Sequence, residues 1–222
     1  KAQPDDDIPV HRPNRMARMM FRQQAAQSAR HDTEQLARGG LSARVGLLSA
    51  ALRFTLGIGQ VPEMAQSASV VKVFDSAGGI AADGDRQDAE TGGITEWRTV
   101  RFADAESPFD GRQREFDELW QRYFLVKIQG IHFCGPAHYD TPLLDGFRCL
   151  SLVYPMVMWL ARVRAVRYGR DRLELSDVQA SLATVDHNFG YSPALGTRSA
   201  LNRVALLSRM QQLMRLVGWY SR

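Results

Sequence analysis

Two cysteines in 222 residues, Cys134 and Cys149, are too few for a disulfide framework. With no signal-peptide pattern at the start, the expected compartment is a reducing cytoplasm. Lysine is almost as scarce: Lys1, Lys72 and Lys127 stand against 25 arginines, a skew that, with so much alanine, reads as a GC-rich coding sequence. The longest uncharged apolar run, Cys149–Ala161, has 13 residues bracketed by Arg148 and Arg162. A span needs roughly 20, so the run predicts a buried helix and no transmembrane segment. No GxSxG, HExxH, P-loop or glycine-rich dinucleotide signature occurs, which leaves a serine or cysteine nucleophile without support beyond single residues. The formal charge of +4 and a pI near 9.3 come from scattered arginines. That is a mild attraction to anions, not a nucleic-acid footprint.

What is present is enough apolar residue, 45%, for a real core. The fold class expected is mainly α, about six helices with a small β-hairpin-like insertion. Three stretches of what reads as one domain are distinguished: 1–62 helical, 63–106 β and loop, 107–222 the helical core. Arg12–Arg38 is rich in helix formers with sparse apolar positions, predicting a surface helix with one shallow buried stripe. Leu41, Val45, Leu48, Leu52 and Leu56 keep the helical period more strongly. Val70–Phe74 and Ile94–Phe102 have strand composition, around a polar glycine-rich loop. Ser107-Pro108-Phe109-Asp110 resembles a helix start, followed by an apolar face through Phe116, Leu119, Trp120, Tyr123 and Val126. Thr141-Pro142 opens the most hydrophobic helix, in which Pro155 predicts a kink. Ser176–Gln179 reads as a capping box ahead of Val178, Leu182, Val185 and Phe189, with Gly190 as the stop. Thr197 caps a last helix ending at Gly218-Trp219-Tyr220.

The densest set of metal-ligand types is His132-Phe-Cys134 with His138-Tyr-Asp140, on a loop. Those spacings could give zinc or iron three ligands, His132, Cys134 and His138 being the candidates. The plainer reading makes Cys134 a small buried hydrophobe and the histidines polar loop residues. Cys149 could approach Cys134 only if its helix folds back. The acidic loop Asp83–Glu90 fails the EF-hand pattern, with Gln87 and Asp88 where an acid and a glycine belong. Asp186-His187 looks catalytic, yet adjacent helical residues point apart, so a structural role is favoured. Arg162, Arg164, Arg167, Arg170 and Arg172 read as the solvated C-terminal end of an apolar helix, with phosphate or acidic-partner binding as the alternative.

The order of segments in the second half carries a resemblance: W-x-R-Y-F-x-x-K (Trp120–Lys127), F-C-G-P-A (Phe133–Ala137), D-G-F (Asp145–Phe147), Y-P-x-x-x-W-L-A-R (Tyr154–Arg162), V-D-H-x-F-G-x-S-P (Val185–Pro193) and a terminal W-Y-x-R. This resembles the helical region after the cysteine cluster in YkgJ-type cysteine-cluster proteins, which include flagellin lysine-N-methylase-like sequences. It covers about Phe109–Arg222, with a weaker echo in Met19–Pro62. It implies an iron–sulfur cluster or zinc, with most ligands outside this chain, and methyl transfer to lysines of a protein substrate. Cys134 falls in a matching segment, as a late ligand to such a cluster; Cys149 does not. The chain departs from the family in having no CxxC: the cluster lies before Lys1, which is not a methionine, or this member has lost it.

Three functional classes follow. The first is the helical portion of a metal- or iron–sulfur-dependent enzyme, a protein lysine N-methyltransferase. The second is a non-catalytic scaffold or binding module whose groove of Tyr123, Tyr154, Trp159 and Trp219 takes a partner helix, against the plainer reading of those aromatics as core. The third is an anionic-surface binder using Arg12–Arg38, short of the Trp, Phe and Leu that insertion needs.

Overall fold

The computed structural model describes residues 12–29, 49, 51–61, 100–109 and 113–221. The described chain is mainly helical: α1 (Arg15–Ala29), a helical stretch at 51–56, α2 (Phe102–Ala105), α3 (Arg114–Gln129), α4 (Leu143–Ser151), α5 (Val153–Arg167), α6 (Leu175–Asn188), α7 (Arg198–Leu207) and α8 (Met210–Tyr220). Of the β insertion, Val70–Phe74, most of Ile94–Phe102 and the acidic loop Asp83–Glu90 lie outside the described residues. The described end of that segment makes one antiparallel bridge, Gln60 to Arg101, with Val61 N–H donating to Val100 O at 2.8 Å.

α5 is the centre. Thirteen of its fifteen residues are buried, because α1, α2, α4, α6 and α8 all pack on it. Taken with α4, the run Leu143–Arg167 contains an 18-residue window of mean hydropathy 1.4 and is long and apolar enough to cross a membrane by length and composition. Of that window, 83% is buried inside the fold, the environment of a core helix.

Two predicted helices divide. The expected kink at Pro155 is a break three residues earlier, at Leu152, whose N–H donates to Cys149 O in a tightened turn. Pro155 then sits in the first turn of α5, where a missing N–H costs no hydrogen bond. The last predicted helix also divides, at Ser208–Arg209. Thr197 does cap α7, its Oγ1 accepting from Ala200 N–H at 3.2 Å. These two breaks account for most of the excess over six helices.

Three other expectations are corrected. Ser107 does not start a helix: α3 begins at Arg114, Ser107 O accepts from Arg162, and Phe109 is buried beneath that guanidinium. The capping box exists but uses Glu174 and Asp177, not Ser176. Arg170 fixes it there, holding Asp177 through two hydrogen bonds of 2.7 and 2.8 Å and Glu174 at 3.1 Å. α1 is not shallow either; Phe21, Arg22, Gln24, Ala25 and Ser28 are all buried, since it packs against α5, α6 and α7 together.

The arginine cluster is the largest correction. Arg162 is fully buried and Arg167 nearly so. Arg162 lies between the rings of Phe109 and Tyr220, 5.4 and 5.2 Å away, and donates at 3.0 Å to the carbonyls of Ser107 and Trp219. Burial pulls its guanidinium down to about 10, still charged at neutral pH.

Candidate functional site

The recurring segments of the second half meet in pairs. Trp120–Lys127 meets Val185–Pro193: Asp186 accepts from Tyr123 Oη at 2.9 Å and pairs with Lys127 Nζ at 2.6 Å. Phe133–Ala137 meets Asp145–Phe147, with the Phe133 and Phe147 rings edge-on at 5.2 Å. A Cβ on Gly146 would lie 1.8 Å from Phe133 O, so only glycine lets the loop lie so close to α4. Gly190, at φ +86°, likewise leaves room for Ala137 O. Tyr154–Arg162 meets the terminal segment through Tyr154 Oη to Ser221 Oγ, 2.9 Å, and Arg162 to Trp219 O. Each segment supplies the other half of a packing contact.

These contacts hold the loop Gly130–Thr141 as a platform. Thr141 O accepts from Gly135 N–H at 2.9 Å, and Tyr139 Oη donates to Ser192 O at 2.8 Å. On its inner side is a cavity of about 20 Å³ lined by Gln24, Ser28, His138, Cys149, Leu152 and Met156, among others, room for about one water molecule. His138 is 2% exposed and stacks on Phe189 at 4.3 Å. Both its ring nitrogens, and Gln24 Oε1, lack a hydrogen-bond partner among the described residues. Burial first, and then the Lys127 ammonium, pulls His138 down to about 4, so the ring is neutral at pH 7. Burial, with Asp145 adding, pushes the Cys149 thiol up to about 12; it is a protonated core group, not a nucleophile. Burial and Asp186 raise Tyr123 as well.

Exposed apolar side chains are dense in the sequence around this loop. Among the described residues fourteen large hydrophobic side chains are exposed, and seven lie between 125 and 147: Leu125, Val126, Ile128, Ile131, Leu143, Leu144 and Phe147. Val126, predicted to face the core, is 60% exposed. Full burial on α3 is confined to Phe116 and Trp120, and beyond them Tyr123 and Phe124 are only partly buried against the core. The sequence held a signal: Phe124-Leu125-Val126 spans more of the helix circumference than one core-facing stripe can use.

The predicted site residues separate. His132 is exposed, Cys134 is half-buried and His138 is buried over the cavity. Cys134 does come beside α4, 2.9 Å from where a Gly146 Cβ would stand, and both thiols are free. Among the described residues no three His, Cys, Asp or Glu side chains are grouped to hold a metal ion. An iron–sulfur cluster takes four thiolates as a rule, more than the two cysteines of this sequence supply by themselves. Asp186 and His187 form no catalytic pair, because Asp186 is engaged by Tyr123 and Lys127 while His187 is exposed. The proposed aromatic groove is core: Trp159 is fully buried, and Tyr123, Tyr154 and Trp219 pack against the same cluster. Comparison with protein-family models, with curated proteins and with solved structures gives no match.

Proposed function

We propose that the chain is a helical interaction module whose working surface is the apolar corner of α3, the platform loop and α4, and that its occupant is a second copy of the same corner. The observation carrying this is that, among the described residues, half of the exposed large hydrophobics fall in residues 125–147. Such a concentration marks an interaction surface, where scattered single residues do not. Leu143 and Phe147, and Leu144 and Phe147, have the spacings at which a helix presents one apolar face to another.

Charge favours a second copy. Residues 125–148 carry two bases, Lys127 and Arg148, and two acids, Asp140 and Asp145. Arg148 and Asp145 pair with each other at 2.8 Å. On a chain of net charge +4, a neutral apolar patch is where two copies meet without repulsion, as an isologous contact. Sedimentation equilibrium tests it: the wild type sediments as a dimer and Leu144→Glu as a monomer. Leu144 is 63% exposed, so at concentrations where the wild type has dissociated the two proteins melt within about 2 °C of one another, as expected of a surface change worth under ~0.5 kcal/mol, and the wild type melts higher as concentration rises and it dimerises. A wild-type monomer across the accessible concentrations contradicts the reading.

The reading as the helical part of an iron–sulfur- or zinc-dependent lysine N-methyltransferase is supported by the resemblance alone. Its ligands would come from beyond these residues. Metal analysis of the protein expressed from its complete gene tests it, and metal-free protein overturns it.

A further inference from the structure

Just past the end of α2, positive charge is concentrated around one carboxylate. Glu106, 5% exposed, has Arg22 Nε at 2.5 Å, Arg18 Nη1 at 3.5 Å and Arg12 Nη2 at 4.0 Å. The buried Arg162 guanidinium also feels Glu106. Three guanidiniums thus share one acid, with Arg162 feeling its charge. Among the described residues only Arg22 donates a hydrogen bond to it; Arg18 and Arg12 approach as ion pairs. Two buried polar groups here have no partner among the described residues. One is Arg18 Nε and the other is Tyr220 Oη, fully buried and within electrostatic reach of Glu106, Arg18, Arg22 and Arg162.

An unpaired buried donor is costly, and an anion held between Arg12 and Arg18 supplies a partner for Arg18 Nε. Arg22 and Glu106 satisfy each other, and Arg22 Nη1 goes on to Thr55 O at 3.2 Å. Among the described residues the donors without a hydrogen-bond partner belong to Arg12 and Arg18, whose side chains are 56% and 21% exposed and therefore reachable from solvent. Arg12 is steadied by Trp219, 5.5 Å from its ring. A fork of planar guanidiniums matches the oxygens of a phosphate group.

We propose that Arg12 and Arg18, backed by Arg22, Glu106 and Tyr220, form a binding site for a phosphate-class dianion, free or as a monoester. Inorganic phosphate and glycerol phosphate, titrated at constant ionic strength, are the probes. Saturable 1:1 binding and a raised melting temperature are expected, since a ligand of the folded state alone stabilises it. Tighter binding of the monoester assigns the site to an esterified phosphate, and equal or tighter binding of inorganic phosphate to the free ion. Arg12→Gln, at an exposed position, weakens binding about tenfold and leaves the unliganded melting temperature in place. Glu106→Gln tightens binding, because the glutamate competes with the anion for Arg18; a purely structural network would lose stability and gain no affinity. Chloride giving the same melting shift as phosphate, or Arg12→Gln binding like the wild type, overturns the site.

Discussion

Arg162→Ala is expected to lower unfolding stability by about 4 kcal/mol. The side chain ties three separated segments, with α5 donating to Ser107 O before α3 and to Trp219 O in α8. Truncation orphans two carbonyls, each costing roughly 1–3 kcal/mol when buried without a partner, and leaves a hole between Phe109 and Tyr220. Arg162→Lys recovers little of the loss, because a single ammonium cannot span two carbonyls as a guanidinium fork does. Urea unfolding of the three proteins reads this directly. A loss under about 1 kcal/mol for Arg162→Ala, the size of an ordinary surface effect, would mean the guanidinium is not a tie.

The second expected result is an acid-sensitive stability traceable to His138. Its folded value is near 4 against about 6.5 in the unfolded chain. Because the folded value is depressed, the unfolded state binds the proton more readily. The contribution is therefore complete above about pH 6.5 and is lost as pH falls from there to about 4. Over that window the loss approaches about 3 kcal/mol, at 1.36 kcal/mol for each pH unit. The carboxylates titrate in the same range, so the informative quantity is the difference from His138→Leu, which removes the titration and keeps an apolar ring-sized group over Phe189. The wild type should lose stability relative to the variant between pH 6.5 and 4. Parallel curves would mean that the ring is hydrated or paired in solution.

Much of this architecture was legible beforehand, for a physical reason that also marks where legibility stopped. Val178, Leu182, Val185 and Phe189 are all buried, as their spacing implied. The apolar run Cys149–Ala161 became the core because nothing else could accommodate it. Periodicity identifies a face without saying how far along the helix a neighbour extends, so Val126 reads like Trp120 until the packing is seen. Nor does it price a break: Pro155 announces a disturbance, and the chain resolves it by starting a new helix at Val153. Arg162 was misread because an arginine after an apolar run normally ends it. Here two backbone carbonyls and two aromatic rings, all far away in sequence, make burial tolerable. His138 stood out by residue type, but as a metal ligand beside His132 and Cys134. Its unpartnered nitrogens and its stack on Phe189 depend on α6 meeting the loop. Gly146 and Gly190 carried the platform in plain view, as glycines whose reason is a carbonyl on another segment, Phe133 O and Ala137 O.

The central claim, that the 125–147 corner is where two copies meet, is tested most directly by a photoreactive side chain placed at Leu144. Mixing heavy-isotope and ordinary protein separates links between copies from links within one. The account predicts links between copies that land on Leu125–Phe147, the self-complementary pattern of an isologous contact. Links confined within one copy, or landing between copies anywhere outside that corner, would contradict it.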